Sequence, residues 1–212
     1  MGKIREATGA EVKKWDELLL KNPDGGEIFQ SKILAELKVQ QGWKPKFLVY
    51  ETSFGEVYVT GWERRFLKKK FLYMPNGAGV VSAKQLDEIL EMNKEDLKEY
   101  FAIRMEPRIR TWVSAPNRLR KTRDVQQNQN TIVLDLSVGE EKLWEQLRQN
   151  ARRAVRKAED DKVVCKEVEV SAKNMEIMYG LYRETGQRAG FFVRPKKYYL
   201  EFWKNMAKAA SL

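Results

Sequence analysis

No histidine occurs among the 212 residues, and Cys165 is the single cysteine. The first absence excludes an imidazole base, a Ser–His or Cys–His nucleophile pair and any His-bearing metal site. One cysteine forms neither an internal disulfide nor a metal cluster. Its setting, VVCKEV, reads as a strand and predicts a buried, inert thiol. No apolar run approaches the roughly 18–20 residues that a membrane span needs. The opening residues, MGKIREATGA, lack the apolar segment of a secretory signal. Gly2 follows Met1, but Glu6 stands where a myristoylation signal wants Ser or Thr. These absences together point to the cytoplasm.

What is present is charge. The chain is 33% charged and 42% hydrophobic, a globular balance, with a net charge of +10. That excess favours polyanionic partners: RNA, nucleotide phosphates or an anionic membrane surface. Periodicity predicts helices over 9–21 and 29–41, then strands over 46–51, 56–63 and 70–74. A helix near 82–99 and a strand over 100–105 follow. Beyond the aperiodic stretch 106–130, strands are expected over 131–136 and 163–170. Helices are expected over 140–160, 173–189 and 195–210. The first five strands are expected to form one mainly antiparallel sheet flanked by helices. A fresh strand-helix unit begins near 136–140, which suggests domains over 1–136 and 137–212.

The expected helix over 140–160 has a sharp charge pattern. Leu143, Trp144, Leu147, Ala151, Ala154, Val155 and Ala158 share an arc. Arg148, Arg152 and Arg156 form an i, i+4, i+8 row beside it, with Arg153 and Lys157 further round. A second basic cluster precedes it: Arg108, Arg110, Arg118, Arg120, Lys121 and Arg123. Such rows track a phosphate backbone or grip a diphosphate. The alternative is a solvated face partly balanced by Glu140, Glu141 and Glu145.

The most informative stretch is TGQRAGFFVRPKKYY, residues 185–199. A helical run ends at Gly190, and Arg194-Pro195 sets a planar cation on a stiffened backbone. If Pro195 opens the next helix, Arg194 lies at its N-terminus and Tyr198 one turn inside. Backbone N–H groups, a guanidinium and a phenol there suit an anion. The competing reading makes the aromatics core and Arg194 a solvated charge.

Several motifs occur in an order that resembles the FemABX family of non-ribosomal peptidyltransferases, which build peptidoglycan cross-bridges. FQSKILAELK (29–38) is similar to the family's Phe/Leu-Gln-Ser helix, and GWKP (42–45) follows in place. FLYMPNGAG (71–79) resembles the Tyr-x-Pro-x-Gly turn, with Asn76-Gly77-Ala78 where Arg-Gly-Pro is commoner. FAIRMEPRI (101–109) resembles a strand ending in an acidic-Pro pair. TIVLDLS with LRQNARRAVRKAE (131–159) resembles the Asp-Leu strand and its basic helix. TGQRAGFFVRPKKYY resembles the Thr-x-x-Arg-x-Gly-Phe…Arg-x-x-x-Tyr block.

The resemblance implies an α/β fold of two domains related to the GNAT acetyltransferases. The second GNAT-like domain is expected to be incomplete, since the sequence stops soon after the Arg-x-x-x-Tyr block. It implies transfer of an amino acid from aminoacyl-tRNA to the stem peptide of a peptidoglycan precursor, either UDP-MurNAc-pentapeptide or a lipid-linked form. A lipid-linked acceptor leaves room for peripheral membrane contact without a transmembrane segment. Lys38, Arg194 and Tyr198 carry over as binders of the precursor's diphosphate, and these three are expected to face one cleft. Phe192 stands where some relatives have a polar residue. The basic face, Arg148, Arg152, Arg156, Arg118, Arg120 and Arg123, is the expected tRNA contact. Attack of an amine on an activated ester requires mainly alignment, so no metal and no cofactor are expected. No catalytic base is assigned. Two other classes stay open: a GNAT-type acyl-CoA N-acyltransferase and a non-enzymatic RNA-binding module. Gln187-Arg188-Ala189-Gly190-Phe191-Phe192 misses the acyl-CoA pyrophosphate loop because it ends in Phe. The aromatics sit mostly at core spacing, which disfavours base stacking.

Overall fold

A computed structural model describes residues 2–109, 119, 120, 122 and 132–210. The chain divides into two units, residues 1–122 with 201–212 and residues 123–200.

The first unit is built on a five-stranded sheet in sequence order: β1 (Lys3–Glu6), β2 (Lys44–Thr52), β3 (Gly55–Phe66), β4 (Lys69–Met74) and β5 (Tyr100–Met105). Neighbours are antiparallel except β4 and β5, which are parallel. Parallel pairing needs a crossover, and α4 (Ala83–Asp96) supplies it. The Ser82 hydroxyl caps α4 by accepting from Gln85 N–H. Leu86, Ile89 and Met92 of α4, at helical spacing, pack on Leu48, Tyr50, Val57, Val59, Leu72 and Met74. Within this core the Tyr50 hydroxyl donates to Asn93 Oδ1 at 2.7 Å, and burial pushes its pKa well up.

The opposite face of the sheet is covered by α1 (Gly9–Lys13), α2 (Trp15–Leu19) and α3 (Lys32–Val39). One helix over 9–21 is expected, but Lys14 leaves helical geometry at φ −105°, ψ 21° and splits it. That break lets Trp15 turn inward against Leu19, Val49 and Tyr58. Its indole N–H donates to the Thr60 hydroxyl at 2.8 Å. Nearby, the buried Asn22 side chain accepts from Tyr58 N–H and donates to Tyr58 C=O, both at 2.8 Å.

Strand β1 goes unnoticed in the sequence because Lys3–Glu6 carries one apolar residue, Ile4. Charge holds it instead. Arg5 donates to Glu11 at 2.8 and 2.9 Å and to Glu51 and Glu56 at 3.0 and 3.1 Å. The Arg5 guanidinium, then the Thr8 N–H, lower the Glu11 pKa from 4.5 to about 2. A depressed carboxylate stabilises the fold above its unfolded value and stops doing so as pH falls through the folded one. Melting temperature is therefore expected to drop between pH 4.5 and 2, and Glu11→Gln is expected to flatten that part of the profile. Equal pH slopes in both proteins would refute it.

In the second unit, α5 (Glu140–Gln146), α6 (Gln149–Asp160), α7 (Ala172–Ala189) and the start of α8 (Lys196–Ala210) are helical. Four expectations are corrected here. The helix over 140–160 is interrupted, because Leu147 and Arg148 are extended at ψ 137° and 149°. Residues 132–135 form no strand, and 136–138 are a 3-10 turn. Residues 163–170 are likewise not a strand, and Cys165 is exposed rather than buried. A strand exists only through pairing. No partner strand meets these segments among the described residues, so Val133 and Val164 remain about four-fifths exposed.

Candidate functional site

Helix α7 begins at Ser171, whose hydroxyl accepts from Asn174 N–H, and ends at Gly190 in left-handed geometry, φ 71°. The returning chain then packs on the helix. A Cβ at Gly186 would lie 2.3 Å from Val193 Cγ2, so only glycine permits this approach. Tyr179 hydroxyl donates to the Arg194 carbonyl at 3.4 Å, and Tyr199 packs its ring on Tyr179 and Tyr182. Burial, and then the hydrogen bond it shares with Tyr182, push Tyr199 up to about 12, so its phenol stays protonated at neutral pH. Lys196 forms an ion pair with Glu176. These contacts fix the turn between α7 and α8.

On that turn Arg194 immediately precedes Pro195, and α8 begins at Lys196. Tyr198 N–H donates to Pro195 C=O at 3.0 Å, closing the first turn. The Arg194 guanidinium lies 4.9 Å from the centre of the Tyr198 ring. Arginine and phenol are thus brought together at a helix N-terminus, where the backbone dipole favours an anion.

Lys38 lies in the first unit, in the last turn of α3. A buried amide fixes that helix. Gln30 Oε1 accepts from Thr60 N–H at 2.7 Å, and Nε2 donates to Pro75 C=O at 2.6 Å. Ser31 then caps α3 by accepting from Leu34 N–H. The Gln-Ser pair of FQSKILAELK is therefore a structural anchor that sets where Lys38 stands. Lys38 Nζ donates to Gln41 Oε1 at 3.0 Å and sits 4.9 Å from the centre of the Trp62 ring.

Trp62 opens a row that the sequence reading missed. Register places Trp62 opposite Tyr73, and Tyr73 opposite Arg104, across β3, β4 and β5. The Trp62 and Tyr73 rings meet edge to face at 5.5 Å. Tyr73 hydroxyl donates to Glu106 Oε2 at 2.6 Å, and Arg104 Nε donates to Glu106 Oε1 at 3.3 Å. Trp62 is 3% exposed, and its indole N–H has no acceptor among the described residues. The tyrosine of the Tyr-x-Pro turn and the acid of the acidic-Pro pair are thus one hydrogen-bonded unit. Motifs quoted separately held that signal, but only register joins them.

The expected arginine row is divided. Arg152, half-buried, donates through Nη1 to the carbonyls of Glu145 at 2.9 Å and Leu147 at 2.5 Å. It therefore satisfies the C-terminal carbonyls of α5. Arg156 is exposed with its guanidinium 5.8 Å from the Trp144 ring, and Arg148 is exposed ahead of α6. Arg120 is exposed, while Arg118 and Arg123 lie outside the described residues. No group of metal-ligating side chains occurs among the described residues.

The FemAB family model matches residues 116–212, a segment holding Arg194, Tyr198 and the α6 arginines but not Lys38. The crystal structure of FemX is similar with a TM-score of 0.69 at 15% identity, covering 96% of this chain. The chain spans 54% of FemX, about half its length. No curated protein matches the chain in sequence. The family match is confined to residues 116–212, and the likeness to FemX shows the fold, a mixed and mostly antiparallel sheet with flanking helices.

Proposed function

We propose that the chain serves as an aminoacyltransferase of peptidoglycan bridge formation, moving an amino acid from aminoacyl-tRNA to a precursor's stem peptide. Arg194 and Tyr198, set together at the start of α8 within the family-matched segment, carry the reading. In it these two side chains hold the precursor's diphosphate. The chemistry is attack by a neutral stem-peptide amine on the aminoacyl ester carbon. An amide bond forms, the ester C–O bond breaks, and the terminal ribose hydroxyl of the tRNA departs with a proton. Alignment of the two substrates is the main requirement. Calorimetric titration of the purified chain with UDP-MurNAc-pentapeptide tests the proposal. Saturable binding supports it, and absence of binding overturns the diphosphate assignment.

The tRNA arm of the proposal rests on the exposed basic residues around α6. Arg148→Gln with Arg156→Gln is expected to lower tRNA affinity and flatten the slope of log K against log salt by about 1–2. Arg152 is kept intact in this test, since its carbonyl contacts hold the corner between α5 and α6. An unchanged slope would return these arginines to a solvated surface.

A further inference from the structure

The hairpin joining β3 to β4 carries features that chain reversal does not need. It reads Arg64-Arg65-Phe66-Leu67-Lys68-Lys69-Lys70. Tight hairpin turns favour Asn and Gly, which accept positive φ. Here Leu67 occupies that conformation at φ 56° and is 102% exposed. A branched apolar side chain at the foremost point of a turn is unfavourable both conformationally and by hydration.

Leu67 is not isolated. Phe66 is 52% exposed, and Phe101 of β5 is 55% exposed. The ring of Phe71 lies 6.4 Å from Phe66 and 6.1 Å from Phe101, so the three aromatics form a continuous strip. Register pairs Phe66 with Lys69 and Arg64 with Phe71, which alternates cation and ring on one face. Arg64 lies 5.9 Å from the Phe66 ring, and Lys69 lies 5.9 Å from the Phe101 ring. Arg64, Arg65, Lys68 and Lys69 are all exposed and have no ion pair among the described residues. Lys70 pairs with Glu99.

We propose that this hairpin docks on an anionic phospholipid surface. Leu67 and Phe66 enter the boundary between headgroups and acyl chains, while Arg64, Arg65, Lys68 and Lys69 meet the phosphates. An apolar wedge ringed by cations has this complementarity. A nucleic acid would match the cations and stack on Phe66 or Phe101, but it offers nothing to the aliphatic tip. No helix of the described residues is long and apolar enough to cross a membrane, so the contact is peripheral. The inference stands independently of the transferase reading.

Cosedimentation of the full chain with phosphatidylglycerol-containing vesicles, against phosphatidylcholine vesicles, is the test. Binding is expected to the anionic vesicles and to weaken with salt. Leu67→Asn suits the left-handed turn and keeps the fold, so its melting temperature should not fall. Its partition coefficient is nevertheless expected to drop about tenfold, and Lys68→Gln with Lys69→Gln to cost a similar factor. Three outcomes overturn the proposal: no binding to anionic vesicles, equal partitioning of Leu67→Asn and the parent, or RNA binding that these variants abolish while vesicle binding stays absent.

Discussion

Arg194→Ala is expected to weaken binding of UDP-MurNAc-pentapeptide by about 1.5–3 kcal/mol, roughly 10- to 150-fold in Kd. The size follows from a charge-assisted contact to phosphate. The surroundings make the substitution clean. The Arg194 backbone is held through its carbonyl by Tyr179, and Gly186 and Val193 fix the preceding turn, so the side chain can be removed without releasing the loop. Arg194→Lys is expected to recover only part of the loss, because an ammonium lacks the planar fork and stacks less well on Tyr198. Paired calorimetric titrations give both values. A Kd for Arg194→Ala within a factor of about two of the parent would remove Arg194 from the site.

Gln30→Ala is expected to have the largest effect on stability, about 2–5 kcal/mol by urea unfolding followed through tryptophan fluorescence. Gln30 is 2% exposed. Its loss orphans Thr60 N–H and Pro75 C=O, two buried backbone groups each costing about 1–3 kcal/mol when unpaired. The cavity left by the shortened side chain adds to this. The same residue sets the start of α3, so a second consequence is loosened placement of Lys38. A loss below about 1 kcal/mol would mean that water or a shifted side chain replaces the amide.

The elements legible in the sequence were those whose signal is local. Leu86, Ile89 and Met92 show helical spacing in one line of sequence, and β2 and β3 announce themselves by apolar runs around a short turn. The start of α8 after Pro195, with Tyr198 in its first turn, was also readable, because proline chemistry acts within a few residues. Signals that depend on distant partners failed. Residues 131–136 and 163–170 are rich in apolar and β-branched residues, as strands are, yet such a segment becomes a strand only beside another. The break at Leu147 was hidden because the apolar arc continues through it, while Arg152's reach back to α5 is a tertiary choice. Strand β1 was missed for the converse reason, since Glu11, Glu51 and Glu56 hold it from elsewhere in the chain. At the site, Arg194 and Tyr198 could be linked from spacing alone. Trp62, Tyr73 and Glu106 could not, because their meeting depends on the register of three strands.

The clamp of Asn22 on Tyr58 has a consequence for how copies of this protein meet. Strand β4 pairs with β3 only from Trp62 to Phe66, so Tyr58 lies beyond its end. There Asn22 offers one acceptor and one donor to the two main-chain groups of Tyr58. A single side-chain amide thus imitates one rung of a neighbouring strand. An unpaired strand edge is a template for intermolecular addition, and blunting it guards against aggregation. Asn22→Ala should therefore do more than lower stability. It leaves the N–H and C=O of Tyr58 without their partner on that edge, and on concentration the variant is expected to form β-rich aggregates that bind amyloid dyes, while the parent stays dispersed.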